Sequence, residues 1–200
     1  IHPGYGFLSE NPEFAEACHK VGIRFIGPKP DVMRQLGNKV MARNVASLAC
    51  VPVVPATTAL PENIEECKAL ANQVGYPFML KASWGGGGRG MRVVENEGEL
   101  QDAIHLARRE AKSAFGNDEV YLEKLIRQAR HVEVQILGDT HGNIVHLFER
   151  DCTVQRRNQK VVERAPAPYL SEAQRKAICS AALRLARAVD YTHAGTVEFL

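Results

Sequence analysis

The sequence lacks three features that would each point to a particular class of protein. Its five cysteines are widely spaced and include no CxxC pair, which argues against the common zinc and redox motifs and indicates free thiols in a reducing compartment. No apolar run approaches the ~20 residues of a membrane span. The net charge of +2 lacks the basic surplus that a nucleic-acid-binding protein gathers on one face. We therefore expect neither a membrane nor nucleic acid among its partners.

The two ends of the sequence also lack the usual signals of a beginning and an end. The chain starts at Ile1 instead of a methionine and stops within the apolar stretch GTVEFL. We therefore expect a fragment of a longer chain. Its 200 residues, 45% hydrophobic and 24% charged, are sufficient for one large globular domain or two small ones.

Hydrophobic periodicity predicts helices and strands along most of the sequence. The clearest helix start is Asn11, an N-cap followed by Pro12, with Gly22 as the stop. The proline-rich segment 50–61 has no helical period and marks a linker or domain boundary. Further helices are predicted over 30–49 with a break at Gly37, 62–74, 99–114 and 171–189, and strands over 23–27, 78–83, 91–95, 120–125, 131–139, 143–151 and 194–200.

The run SWGGGGRG is the first candidate for a binding site. Gly85, Gly87 and Gly90 match G-x-G-x-x-G, but the segment MRVVE that follows is β-type, whereas a dinucleotide fingerprint opens a helix. The lysine precedes the glycines, so the Walker pattern also fails. What remains is a hairpin loop that could wrap phosphate oxygens, with Lys81 at its base. A glycine-rich tip without a ligand is the alternative, although ordering so many glycines costs much conformational entropy.

Polar side chains on the later strands form a second group of candidates. Alternation places His131, Glu133 and Gln135 on one face of their strand, where simple solvent exposure is the favoured interpretation. The segment 149–160 is dense in hydrogen-bond donors and could bind small oxyanions, with a solvated loop as the alternative. Glu198 is a carboxylate in an apolar strand, which suits a hard metal ion such as magnesium and equally suits a surface glutamate.

Five stretches occur in the order HPGYGFLSEN, KASWGGGGRGM, RHVEVQILGD, ERDCTVQRRNQKVVERAPAP and AGTVEFL. Together they resemble the biotin carboxylase domain of biotin-dependent carboxylases, an ATP-grasp family, and the stretches SWGGGGRG, HGNIVHLFERD and QRRNQKVVERAPAPYL are most similar to its pyruvate carboxylase branch. The resemblance implies a mixed α/β and α+β fold. Residues 1–52 would be the end of a Rossmann-like N-terminal subdomain, 53–125 the lid subdomain of the ATP-grasp fold, and 126–200 the first part of its C-terminal subdomain.

The resemblance also implies a role for each residue that matches the family's motifs. Lys39 and Lys81 resemble the lysines that contact ATP phosphates, and Lys160 resembles the catalytic lysine that binds bicarbonate. Glu198 resembles the first of two glutamates that bind Mg2+ or Mn2+, whereas the second glutamate and the catalytic arginine would lie beyond Leu200. The remaining residues expected at the nucleotide are Gly87 and Gly88 in the phosphate-covering loop, the hinge residues Glu123, Lys124, Leu125 and Ile126 at the adenine and ribose, and His131, Gln155 and Asn158.

The implied reaction uses ATP, bicarbonate and biotin. ATP phosphorylates bicarbonate to carboxyphosphate, which releases carbon dioxide onto N1 of biotin on a separate carrier domain. The implied partners are the biotin carboxyl carrier and carboxyltransferase domains within a homo-oligomer, located in the cytoplasm, or in the mitochondrial matrix of a eukaryote. The 200-residue piece alone is expected to be inactive. Three alternatives stay open: the carboxylase subunit of an acetyl-CoA or propionyl-CoA enzyme, an incomplete ATP-binding module, and a nucleic-acid-binding domain based on the arginine pairs.

Overall fold

The computed structural model describes residues 1–4, 6–85, 90–156 and 159–200. Helices α1 to α6 span Pro12–Lys20, Pro30–Gly37, Lys39–Leu48, Ile64–Val74, Leu100–Phe115 and Glu172–Ala188. Strands β1 to β7 span Phe78–Ala82, Arg92–Val94, Val120–Lys124, Val132–Gly138, Ile144–Arg156, Gln159–Arg164 and His193–Phe199. None of the helices in these ranges combines the length and the apolar character needed to cross a membrane.

The chain divides into two compact units. The first unit comprises Ile1–Gly37, Met41–Pro52 and Ala129–Leu200, and the second comprises Asn38–Val40 and Val53–Gln128. Each unit has its own sheet and its own buried apolar residues. The division into three domains stated from the sequence stays a prediction.

The second unit is a three-stranded antiparallel sheet in the order β2-β1-β3, with α4 and α5 packed against it. Helix α4 begins after Asn63, whose side chain accepts a hydrogen bond from the Glu65 amide at 2.9 Å, and it ends at Gly75, where φ is 77°. Strands β1 and β2 are paired antiparallel, as the sequence predicts for the two sides of a glycine-rich hairpin. The tip itself, including Gly87 and Gly88, lies outside the described residues.

The first unit contains a four-stranded antiparallel sheet in the order β6-β5-β4-β7. Helix α6 packs against β4 and β5 through small residues, so that Val134, Ile136 and Ala182 are buried together. A capping box starts α6, because Ser171 and Gln174 exchange side-chain and backbone hydrogen bonds. The antiparallel pairing of β4 and β5 confirms the hairpin predicted from their alternating pattern.

The structure corrects the sequence interpretation at three places. The strand predicted over 23–27 is wrong: the Ile26 amide donates to the Ile1 carbonyl at 3.0 Å, but no strand is assigned there. The residues after Asp151 were not predicted as a strand, yet β5 continues to Arg156 and β6 pairs with it. The polar face of β4 is not simply solvent-exposed, since Glu133 is only 3% exposed.

Candidate functional site

The first unit brings Lys160 and Glu198 together with Glu133. The sheet register places Glu133 of β4 directly opposite Glu198 of β7, an arrangement in which two carboxylates repel each other. Lys160, on β6, donates from Nζ to Glu198 Oε1 at 2.7 Å and also to Glu133 Oε2. The positive charge of Lys160 therefore offsets the repulsion between the Glu133 and Glu198 carboxylates, which lie on neighbouring strands of the sheet.

A second cation completes the environment of Glu133. Arg150 donates from Nε to Glu133 Oε1 at 2.8 Å and from Nη1 to Gln135 Oε1 at 3.0 Å. Burial alone would raise the pKa of Glu133, but the hydrogen bonds from Lys160 and Arg150 lower it. For Lys160 the two effects have the opposite signs: burial alone would lower its pKa, but its hydrogen bonds to Glu133 and Glu198 raise it. The cluster therefore holds a fixed carboxylate and a permanently charged ammonium at neutral pH.

His131 and Gln155 lie next to this cluster. The Gln155 Nε2 atom is 2.6 Å from His131 Nδ1, and His131 Nε2 is 3.4 Å from Glu198 Oε1. Strand β5 has register shifts between Asp151 and Gln155 where it pairs with β6, and such irregularities redirect side chains. Four residues predicted from the sequence are thus joined in one cluster: His131, Gln155, Lys160 and Glu198.

The second unit holds a separate ion pair between Lys81 and Glu123. In the register of β1 and β3, Lys81 faces Tyr121 and Met79 faces Glu123, so the two charged residues are diagonal neighbours on the same face. Lys81 Nζ donates to Glu123 Oε1, and the Tyr121 hydroxyl donates to Glu123 Oε2 at 3.4 Å. The predicted phosphate-binding lysine is therefore held beside a carboxylate predicted to bind the ribose.

The other predicted residues of the second unit have different surroundings. Lys39 begins α3, and its amide donates to the Ser83 carbonyl at 2.8 Å while its Nζ donates to the Gly85 carbonyl. The side chain of Lys124 donates to the carbonyls of Gly75 at 2.8 Å and Tyr76 at 3.3 Å, so it bonds the chain just after α4. Leu125 and Ile126 follow the end of β3. The last predicted residue, Asn158, belongs to the sequence range of the first unit and lies outside the described residues.

The residues that the sequence interpretation missed are Glu133 and Arg150. Both occur in segments singled out for their polar side chains, but neither was chosen as a site residue. The available signal was alternation, which places Glu133 on the same strand face as His131. What the alternation could not give was the register that sets Glu133 opposite Glu198.

Among the carboxylates of the Lys160 cluster, Glu198 is the one that fits a magnesium ion. The side chain of Glu198 is 54% exposed and offers hard oxygen ligands, and Mg2+ commonly binds one or two protein carboxylates together with substrate phosphates. Glu133, Cys152 and Glu163 also bring ligand atoms within 4.8 Å of one another. However, burial raises the pKa of the Cys152 thiol to about 11, so a thiolate ligand is not favoured at neutral pH.

Two family models match nearly the whole chain. Residues 38–200 match the model described as carbamoyl-phosphate synthase L chain, ATP binding domain, and residues 1–33 match the one described as biotin carboxylase, N-terminal domain. The chain belongs to the biotin carboxylase family of ATP-grasp proteins. The resemblance and the fold class stated from the sequence are therefore confirmed.

Individual relatives of this biotin carboxylase chain include pyruvate carboxylases. The pyruvate carboxylase of Bacillus subtilis (strain 168) is 56% identical over 200 residues, which is 100% of this chain and 17% of the relative. The structure of Rhizobium etli pyruvate carboxylase T882A with acetyl coenzyme-A is 67% identical with a TM-score of 0.94, covering 99% of this chain and 17% of that one. The chain thus spans about a sixth of the length of the full pyruvate carboxylases that it matches.

A third relative was solved with ligands bound. It is the biotin carboxylase domain of 2-oxoglutarate carboxylase from Hydrogenobacter thermophilus, in complex with MgADP, ADP and bicarbonate. It is 48% identical with a TM-score of 0.95, and the match covers 100% of this chain and 44% of that one. Similarity therefore extends to a domain solved with a magnesium nucleotide and with bicarbonate, one of the substrates expected from the sequence.

Proposed function

We propose that this chain supplies part of the site at which ATP and bicarbonate carboxylate biotin. The observation that carries the proposal is the ammonium group of Lys160, held between Glu133 and Glu198. The charges of Lys160 and Arg150 balance those of Glu133 and Glu198. A cation bound at Glu198 would therefore leave a positive surplus, and the Lys160 ammonium could then bind a small oxyanion. Bicarbonate is such an anion, and the Hydrogenobacter thermophilus relative binds it.

The chemistry requires positioning and charge neutralisation more than a reactive group. In phosphoryl transfer, most of the catalytic effect comes from alignment and from positive charges near the transferring phosphoryl group. Lys160 would bind the bicarbonate oxygens, and its raised pKa keeps it charged throughout the neutral range. Lys81 and Lys39 would supply positive charge to the ATP phosphates, with Gly87 and Gly88 covering them. Glu123 would accept hydrogen bonds from the ribose.

The remaining residues would bind the nucleotide and its cation. Glu198 would hold Mg2+, which supplies positive charge at the phosphate oxygens when it is bound. His131, Gln155 and Asn158 would bind the nucleotide. At the hinge, Leu125, Ile126 and the backbone of Lys124 would contact the adenine, because the Lys124 ammonium already bonds two carbonyls of its own unit.

For the whole protein we propose pyruvate carboxylase activity. The carboxyl group would pass from biotin, on a carrier domain, to pyruvate in a carboxyltransferase domain of a homo-oligomer, giving oxaloacetate. The pyruvate carboxylases that match 99% or 100% of the chain support this acceptor over acetyl-CoA or propionyl-CoA. We propose that the protein acts in a reducing compartment, the cytoplasm of a bacterium or the mitochondrial matrix of a eukaryote. We propose no role for nucleic acid or a membrane.

The assignment of Lys160 is tested in a chimera. This chain replaces the matching 200 residues of Bacillus subtilis pyruvate carboxylase, and ATP cleavage is measured as phosphate release with and without bicarbonate and free biotin. Lys160→Ala should lower the bicarbonate-dependent rate by about 100-fold or more, since removing one preorganised donor from a transition state typically has that effect.

Lys176→Ala provides the matched control, because Lys176 is exposed on α6. It should keep the rate of the unmodified chimera. Bicarbonate-dependent cleavage that survives Lys160→Ala unchanged would defeat the role of Lys160. An unmodified chimera that binds ATP but never cleaves it would favour the incomplete ATP-binding module.

The carboxyl acceptor is tested separately on the natural full-length protein. Carboxylation of pyruvate should exceed that of acetyl-CoA, propionyl-CoA and 2-oxoglutarate, measured as incorporation of labelled bicarbonate. A preference for any of the other three acceptors would overturn the pyruvate assignment and leave the biotin half-reaction untouched.

A further inference from the structure

His131 is fixed to β5 at three points, two on its backbone and one on its imidazole ring. Its backbone amide donates to Thr153 Oγ1 at 3.1 Å, and its carbonyl accepts from the Cys152 amide at 2.7 Å. The third contact is the 2.6 Å approach between Nδ1 of the ring and Nε2 of Gln155. Because both the backbone and the ring are held, the direction in which Nε2 points is set by the fold.

The orientation of the Gln155 amide is determined by a second contact. Its Nε2 atom lies 2.9 Å from the carbonyl oxygen of Cys152. Rotating the amide by 180° would place one oxygen against another at that distance, which is repulsive. The amide nitrogen therefore donates one hydrogen to Cys152 and directs the other to Nδ1 of His131.

A donor at Nδ1 determines which ring nitrogen carries the proton. Since Nδ1 accepts, the neutral imidazole must hold its hydrogen on Nε2. That Nε2 atom is buried and has no hydrogen bond of normal geometry among the described residues. The nearest acidic oxygen is Glu198 Oε1 at 3.4 Å, and the same oxygen already accepts from Lys160. A buried N–H without a close acceptor is costly, which indicates that another oxygen completes its bonding.

We propose that Gln155 is a positioning residue that locks His131 in its Nε2–H tautomer, so that His131 offers a neutral N–H donor to an oxygen atom of the bound ligand. Gln155 then acts through His131 and not by direct contact alone. In this arrangement His131 cannot accept a hydrogen bond at Nε2, which selects acceptor oxygens such as those of a phosphate or a carbonyl over donor groups. The tautomer follows from the contacts described, whereas its use with a nucleotide rests on the proposed function.

The tautomer is measured directly by long-range 1H–15N NMR of the 200-residue chain, without nucleotide, at a pH well above the ordinary titration range of histidine. The wild-type spectrum should show a protonated Nε2 and an unprotonated, hydrogen-bonded Nδ1 for His131. Gln155→Glu replaces the donor by a carboxylate that only accepts, so the proton should move to Nδ1. Gln155→Met removes the donor, so the Nδ1 resonance should shift toward that of a nitrogen without a hydrogen bond.

Gln101→Glu provides the control, because it adds the same charge at an exposed position of α5. In this variant the proton of His131 should stay on Nε2, as in the wild type. A wild-type proton on Nδ1, or a Gln155→Glu variant that keeps the proton on Nε2, overturns the inference even if the chimera is fully active. An inactive chimera with the expected tautomers would instead count against the proposed function.

A kinetic measurement provides a second test in the full-length chimera. Gln155→Glu should raise KM for ATP by about 10-fold or more, the usual effect of losing a hydrogen bond to a charged group, while Gln101→Glu should not. An unchanged KM in Gln155→Glu would show that the donor at His131 Nε2 does not contact the nucleotide.

Discussion

Asp151 is a buried carboxylate whose hydrogen bonds make the first unit sensitive to acid. It is 3% exposed and accepts from the Thr153 amide at 3.1 Å, from Arg164 at 3.0 Å and from the Tyr169 hydroxyl at 3.0 Å. Burial would raise the pKa of Asp151, but its hydrogen bonds to Thr153, Arg164 and Tyr169 hold it well below the usual range. The folded pKa is thus below the unfolded one, so the stabilisation is present above about pH 4 and is lost as the pH falls further.

We predict that Asp151→Asn lowers the free energy of unfolding by about 2 kcal/mol at pH 7, because the buried network loses its negative charge and one of its two acceptor oxygens becomes a donor. The difference from the wild type should narrow below about pH 4, where the wild-type carboxylate begins to lose its advantage. Urea unfolding at pH 7 and at lower pH values measures both effects. Asp118→Asn, at an exposed position of the second unit, should change stability by less than about 0.5 kcal/mol. A loss that stays constant across this pH range would contradict the role of the Asp151 charge.

At the scale of the element, a buried ion pair holds α6 to β5. Glu149 is 1% exposed, and its Oε1 accepts from Arg175 Nε at 2.7 Å and from the Ala167 amide at 3.1 Å. Arg175 also donates to the Ala167 carbonyl at 3.2 Å. One side chain of the helix thus bonds both the strand and the chain that leads into the helix. Breaking such a pair costs about 3–5 kcal/mol, compared with about 1 kcal/mol for losing an N-cap.

We predict that Arg175→Met destabilises the first unit by about 3 kcal/mol or more, since it leaves Glu149 buried without its cation. Ser171→Ala, which removes the N-cap of the same helix, should cost about 1 kcal/mol. The double variant Glu149→Leu/Arg175→Met should recover part of the loss, because neither charge is then left unpaired although the Ala167 amide loses its acceptor. Chemical unfolding of the three variants ranks these effects. Equal losses for Arg175→Met and Ser171→Ala would show that the ion pair does not determine how α6 is held.

The elements that could be predicted from the sequence are those whose first or last residues are recognisable caps. Asn11 caps its helix as predicted, and the helix predicted from Ser171 does begin there, with Ser171 as its cap. Both starts were readable because capping is a local interaction within a few residues. Strands depend on a partner that the local pattern does not reveal. The segment 23–27 therefore failed as a strand, and β6 was missed although it pairs with β5. For the same reason, the family resemblance supplied expected roles for Lys160 and Glu198, while only the register showed that Glu133 joins them.

At the scale of the whole molecule, the two units have separate hydrophobic cores. In the second unit the sheet and two helices bury Leu80 and Leu122, which are both 0% exposed. In the first unit β4 and α6 bury Val134 at 0% and Ile136 at 2%. Among the residues that the structure describes, none belongs to both of these two clusters. A defect placed in one core should therefore act first on the strands of its own unit.

We predict that Leu80→Ala lowers the opening free energy of amides in β1 and β3 by about 2–5 kcal/mol, because it leaves a cavity in a fully buried layer. Ile136→Ala should have an effect of the same size on β4 and β7. Native-state hydrogen exchange measures both, and each variant serves as the control for the other, since protection in the unmutated unit should stay within about 0.5 kcal/mol of the wild type. If Leu80→Ala lowered protection in β4 as much as in β1, the two units would unfold together as one cooperative body. The two cores would then not stabilise their units independently.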